Sequence, residues 1–251
     1  MDYVSFAAFG VIIARPAMLI ATAPVFGGAF APAQVRIGLT VMLALAMLPT
    51  TPMPAIGSSV VVVLVVAREM AIGLAIGLAI RALIAGAEMA GHLTATQLGL
   101  TYGAVVDPQS GVRNNVIAAL YGNLALVTFF AIDGHHALIR ALAASYVRMP
   151  VGGGGVSESL VTSVMQMLGV VFVLGVRFAM PVIIVLLVVE LAMGLISRSA
   201  PMLNLMVVAI PVRMLVGLVV VAAIIPAAPG VVRRFATMVI DVGSGMAAAF
   251  K

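Results

Sequence analysis

The sequence has no cysteine, no tryptophan, one lysine (Lys251) and charged residues at only 8% of its 251 positions. Without cysteine there can be no disulfide, zinc finger or cysteine-ligated iron–sulfur cluster. The scarcity of charge excludes more. A soluble domain carries about 25% charged and about 45–50% apolar residues, whereas this chain is 64% hydrophobic with a mean hydropathy of +1.28. So few polar side chains cannot cover the surface of a soluble fold this large. The apolar surface must meet lipid, partner subunits or both. The basic excess, 13 Lys and Arg against 8 Asp and Glu, does not point to nucleic acid. Its arginines are scattered singly through apolar segments, Arg233-Arg234 being the only adjacent basic pair, and aromatics for base stacking are few.

Signatures of catalysis are also missing. There is no Gly-x-Ser-x-Gly, His-Glu-x-x-His or phosphate-binding Gly-x-x-x-x-Gly-Lys, and Gly243-Ser244-Gly245 has the wrong spacing for a nucleophile turn. No enzyme activity and no cofactor are expected. His135-His136 follows Asp133-Gly134. Adjacent helical side chains leave the axis about 100° apart, so no metal site is expected there; a polar helix N-terminus accounts for these residues, with Asp133 suited to the dipole. At the start of the chain, Met1-Asp2-Tyr3 lacks a basic lead and Arg15-Pro16 interrupts the apolar run. The first segment therefore reads as retained rather than as a cleaved signal peptide, despite Ala21-Thr22-Ala23.

What remains is a series of apolar runs punctuated by proline, glycine and single charges. The pattern predicts an all-α, membrane-associated bundle of kinked helical hairpins. Its helices are Tyr3–Ala21, Ala33–Leu48, Ser58–Ala87, Ala90–Tyr102, Asn114–Ile132, His136–Val147, Ser157–Phe178, Pro181–Ser197, Leu203–Ile225 and Gly230–Ala249. A bilayer takes about 20 apolar residues to cross, a length met most clearly by Tyr3–Ala21, Asn114–Ile132 and Leu203–Ile225. Pro49, Pro52 and Pro54 end one helix, and Ala200-Pro201 and Pro226…Pro229 mark later turns. Met149-Pro150-Val151 and the glycines Gly152–Gly155 divide the chain into parts 1–150 and 151–251. No soluble domain is expected at either end.

The charges are the anomaly. Arg15, Arg68, Glu69, Arg81, Glu88, Arg177, Glu190 and Arg213 all fall within or against apolar helices. A charge at the centre of a lipid-exposed helix costs about 2.5–3.5 kcal/mol on insertion scales. Either these charges pair inside a bundle, or partner proteins rather than lipid cover the helices. Arg68 and Glu69, as sequence neighbours, cannot face one another and are expected to pair with other segments. Gly73 and Gly77 form a Gly-x-x-x-Gly that suits close helix packing, with Arg81 on the same face. The run from Gly99 to Asn115 is a loop with an apolar stretch, Ala104–Val106. It reads either as a connector or as a segment occupying a passage.

Taken in order, certain residues resemble the FliR family of flagellar export-gate subunits, which includes the equivalent injectisome subunit. They are Arg15 with Ala23-Pro24-Val25-Phe26 and Pro32…Arg36; Arg68-Glu69 with Gly73 and Gly77; and Ala90-Gly91 before Gln97-Leu98-Gly99-Leu100. Then follow Val106-Asp107-Pro108; Asp133-Gly134-His135 with Leu138-Ile139, Ser145 and Pro150; Arg198-Ser199-Ala200-Pro201-Met202-Leu203-Asn204; and Ile210-Pro211. Met202, where the family usually has glutamine, and Asp133, where small or polar residues are common, depart from its pattern. The resemblance implies a FliP-like part (1–150) fused to a part with a FliQ-like hairpin (151–251). It implies hetero-oligomeric assembly with FliP-like and FliQ-like subunits in the inner membrane, contact with an FlhB-like subunit, and passage of unfolded flagellar proteins. It further implies that the loop at Gly103, Ala104, Val105, Val106, Asp107, Pro108, Gln109, Ser110 and Gly111 plugs the closed channel. Arg15, Arg68, Glu69, Arg81 and Glu190 are candidate buried charges or subunit contacts. Pro24, Gly134, His135, Pro201, Asn204 and Pro211 are candidate structural residues of the motif. An injectisome subunit and, further off, a secondary transporter are the alternatives; the compact length points to the flagellum.

Overall fold

The computed structural model describes residues 9–26, 31–51, 59–100, 116–152, 159–199 and 205–248. Eight α-helices longer than one turn lie among them: α1 (Ala14–Thr22), α2 (Ala33–Met47), α3 (Ser59–Gln97), α4 (Val116–Ala131), α5 (Gly134–Arg148), α6 (Ser159–Ser199), α7 (Leu205–Ile224) and α8 (Ala228–Ala248). Residues 9–12 form a further helical turn ahead of α1. Short 3-10 turns follow α2 at Leu48–Thr50 and join α7 to α8 at Ile225–Ala227. No strand occurs among the described residues, and the architecture is all-α as expected.

Two expected helix breaks are absent. Where the sequence predicts one helix ending at Ala87 and another beginning at Ala90, residues Ser59–Gln97 form a single helix of 39 residues, α3. Glu88, just past the expected end of the first of them, lies inside α3 with its stem against Gly122 of α4, where an added Cβ would come within 2.9 Å of Glu88 Cγ. A charge with somewhere to lie does not stop a helix. The segments on either side of Pro181 likewise form one helix of 41 residues, α6, with Pro181 in its interior. Interior proline forfeits one backbone hydrogen bond and costs about 3 kcal/mol in a soluble helix. Membrane helices accept it because neighbouring helices and local adjustment satisfy the freed groups. The turn expected at Pro226…Pro229 is present as one 3-10 turn, after which α8 begins with Pro229 in its first turn, where proline is tolerated.

Helix length decides which segments can cross a membrane. Val60–Gln97, Met165–Ser199 and Val208–Val239 are long and apolar enough; α4 and α5, bent by 70° at their junction, add a fourth span if counted as one. Of the expected spans, Leu203–Ile225 falls largely within the third, and α4 qualifies only together with α5. Tyr3–Ala21 begins outside the described residues, and its described part, Phe9–Thr22, is by itself shorter than a span, as is α2.

The chain divides into two compact units. Unit 1 comprises residues 1–83, 129–170 and 235–251. Here α1 packs on α2 and lies along α3 at a separation set by glycine. A Cβ at Gly73 would run into the Arg15 backbone carbonyl, and one at Gly77 into the Thr22 hydroxyl. Small residues at this spacing let backbones meet. The core comprises Ile12, Leu19, Ile72, Ile80, Leu138 and Leu142. Unit 2 comprises residues 84–128 and 171–234 and is packed in the same way. Gly91 lies against the Ala118 backbone, while Gly86 faces the Val171 carbonyl as Gly175 faces that of Gly86. Tyr121 meets Phe178 edge-on with ring centroids 6.1 Å apart, a favourable aromatic geometry.

Gly73→Ala is expected to lower the stability of the detergent-solubilised protein by about 1–3 kcal/mol, because the obstructing atom is backbone. Gly194→Ala, with nothing within 4 Å of the new Cβ, should be neutral or add up to about 1 kcal/mol from helix propensity. Thermal unfolding followed by circular dichroism separates the two; equal effects would show that the Gly73 contact is not tight.

Candidate functional site

Burying an arginine requires acceptors for a fixed fork of donors and a negative charge to balance it. Unit 1 supplies both to Arg15, whose side chain has no exposed surface. Its Nε donates to Glu69 Oε2 at 2.7 Å, and one terminal nitrogen lies 2.6 Å from the same oxygen. The other terminal nitrogen donates to Ser145 Oγ at 2.9 Å, and the Met149 carbonyl accepts a further bond at 3.1 Å. Ser145 in turn donates to the Leu142 carbonyl at 2.6 Å. The guanidinium carbon lies 4.1 Å from the Tyr146 ring centroid, within cation–π range, and the Tyr146 hydroxyl donates to the Ile12 carbonyl at 2.8 Å. Three helices thus converge on one charge: α1 brings Arg15, α3 brings Glu69, and α5 with its C-terminal turn brings Ser145, Tyr146 and Met149. Arg68, one residue before Glu69 and so turned to another side of α3, reaches the Pro150 carbonyl at 3.4 Å.

The Glu69 side chain is as fully enclosed as that of Arg15. Nothing dissolved in water can touch this pair, so its chemistry is positional: it locks α1 and α5 onto α3. Unit 2 has its own ion pair, Arg213 to Glu190 at 2.7 Å, joining α7 to α6 with the carboxylate half exposed. Arg81 is exposed on α3.

Of the motif residues, the structure describes Pro24, Gly134, His135 and Pro211. Pro24 occupies the second position of a turn in which the Phe26 amide donates to the Ala23 carbonyl, a place its fixed φ favours. Gly134 begins α5, and any Cβ there would enter the Phe129 ring. Pro211 lies inside α7. Asp133 precedes α5 in the left-handed region at φ 58° and makes no side-chain cap, which revises the expected side-chain capping. Its carbonyl instead accepts from the His136 and Ala137 amides, and its carboxylate meets His136 Nδ1 at 3.2 Å. The His135 and His136 rings do not diverge; their centroids are 4.1 Å apart. In the first turn of a helix no preceding turn confines the rotamers. Asp133, His135 and His136 thereby bring three ligand-type atoms within 4.8 Å of one another. Gly103, Ala104, Val105, Val106, Asp107, Pro108, Gln109, Ser110 and Gly111 lie outside the described residues, as do Pro201 and Asn204.

Residues 6–239 match the family described as bacterial export proteins, family 1. The chain is a member of the FliR family. It is 31% identical over 224 residues to the flagellar biosynthetic protein FliR of Pectobacterium carotovorum subsp. carotovorum, covering 89% of this chain and 86% of that one. Identity to the FliR of Escherichia coli (strain K12) is 30% over 213 residues, with 84% and 82% covered. To that of Bacillus subtilis (strain 168) it is 26% over 240 residues, with 94% and 93% covered. As a FliR-family chain with three to four membrane-length apolar helices, it is a multi-pass inner-membrane component of the flagellar export gate.

Replacing Arg15 by Met strands a buried carboxylate, and breaking such a pair costs about 3–5 kcal/mol. Glu69→Leu should cost a comparable amount. The double variant, which removes both charges, should lose markedly less than the sum of the two. Denaturant unfolding of all three in detergent checks this; simple additivity would show that the pair is not coupled.

Proposed function

We propose that this chain contributes the FliR-type subunit to a hetero-oligomeric channel of FliP-like and FliQ-like subunits. An FlhB-like subunit lies beside it, and unfolded flagellar proteins pass through the assembly. In this reading residues 1–150 form the FliP-like part, 151–251 carry the FliQ-like hairpin, and the loop Gly103–Gly111 closes the resting passage. The subunit shapes and seals a route, with no catalytic step of its own.

The observation that carries the proposal is uncovered apolar surface on segments that lipid alone does not suit. Helix α2 cannot cross a bilayer, yet Val35, Ile37, Met42 and Leu45 on it are each more than half exposed. A short helix with this much exposed apolar surface needs protein around it. The long helices α6 and α7 are equally uncovered, with Leu195 and Val219 each 69% exposed, so lipid, neighbouring subunits or both must close over them. The plug assignment rests on the FliR resemblance and on the apolar run Ala104-Val105-Val106, since a hydrophobic constriction closes a pore by dewetting it. The flagellar names of the relatives favour the flagellum over an injectisome.

Deleting Ala104–Ser110 should make the assembled gate leak ions, detected as increased permeability of cells or vesicles containing the full complex. Unchanged permeability with normal assembly would contradict the plug.

A further inference from the structure

Helices α1 and α2 of unit 1 enclose an open groove of about 300 Å³. Its walls are almost wholly apolar, with Ile13, Ala17, Ile20 and Ile37 prominent, and only Arg36 and Thr40 are polar. The Thr40 hydroxyl is already committed, donating to the Arg36 carbonyl at 2.8 Å. Arg36 is half-buried on this groove, and its Nε is shut off from water with no hydrogen-bond partner. Arg15 and Arg213 each have a carboxylate close by; among the described residues Arg36 forms no ion pair with one.

A guanidinium nitrogen shut off from water beside apolar walls without an acceptor is costly, and the groove as it stands leaves the Arg36 Nε unanswered. Three kinds of cover are conceivable: water, a lipid headgroup, or a protein helix. Water does not suit the apolar walls. A headgroup would suit an amphipathic helix lying in the membrane interface, with one polar and one apolar face. Helix α2 is not of that kind, since Val35, Ile37, Met42 and Leu45 point outward while Leu43 and Ala44 are buried. Nor is it long enough to be a span.

We infer that the α1–α2 groove is a subunit-docking site that receives an apolar helix of a neighbouring gate subunit, with one Asp or Glu of that helix pairing with Arg36. The inference rests on the hetero-oligomeric reading proposed above. It specifies where the contact lies and the chemistry of what fits it. Arg36 sets the register, because an aliphatic groove alone holds a helix without fixing its height, whereas one desolvated ion pair admits a single alignment.

The test uses the complete gate in its native membrane, with a photo-reactive residue introduced as Ile37→benzoylphenylalanine or, separately, Val41→benzoylphenylalanine. Illumination should join the chain to one partner subunit. The joined peptide should carry an Asp or Glu within about one helical turn of the attachment point. Adding Arg36→Glu should reduce that product at least about tenfold. Attachment to lipid alone, a partner peptide without an acidic residue, or a yield indifferent to Arg36→Glu would overturn the inference. Co-extraction of the other subunits with the chain is recorded in the same samples. If they co-extract and positions 37 and 41 still fail to react with them, the docking site alone is refuted. If they do not co-extract, the hetero-oligomeric reading falls with it.

Discussion

In a chain with charges at 8% of its positions and apolar helices almost throughout, each ionised group inside a helix must be answered by an opposite charge or a set of hydrogen bonds. That requirement organises unit 1. Arg15 can be enclosed only if Glu69 arrives from α3 and Ser145, Tyr146 and the Met149 carbonyl arrive from α5 and its end. Meeting the donors of one guanidinium therefore fixes three helices. A buried ion pair is often no more stabilising than a well-packed apolar substitute, so its value here is better described as alignment than as net free energy.

Close approach of backbones is the second constraint, and it applies in both units. Dispersion between packed surfaces replaces the hydrophobic effect as the attraction between helices wherever the surroundings are as apolar as the helices. Dispersion falls off steeply with distance, which is why glycine stands where helices meet. Gly73 and Gly77 admit α1 to α3, while Gly86, Gly91 and Gly175 admit α6 and α4 to the latter part of α3. At each of these positions a single methyl group would meet the backbone or side chain of the neighbouring helix.

Much of this was legible in the sequence because it follows from composition and punctuation. The all-α class, most helix positions to within a few residues, and the FliR family could be read from apolar runs, proline and a chain-long order of short motifs. The misreadings share one cause. At Glu88 and Pro181 the rules for helices whose backbone water can rescue predict a break, and a long helix surrounded by apolar material continues instead. The buried cluster was visible only in part. Arg15 and Glu69 stand out as charges within apolar helices, but their pairing joins positions 54 residues apart and the Ser145 contact joins positions 130 apart, separations that no local pattern encodes. The role of Tyr146 left one faint trace, an aromatic hydroxyl next to Ser145 near the end of its helix.

A subunit whose short helices remain apolar on their outer faces is built to be enclosed by others, and export through the inner membrane supplies the setting. The central claim is that this chain is one member of a mixed assembly. It is tested most directly by the native mass of the detergent-extracted protein, produced alone and then together with the proposed FliP-like and FliQ-like subunits. The account predicts a single copy held in a large hetero-oligomer when the partners are present. A stable homo-oligomer that ignores them would contradict it.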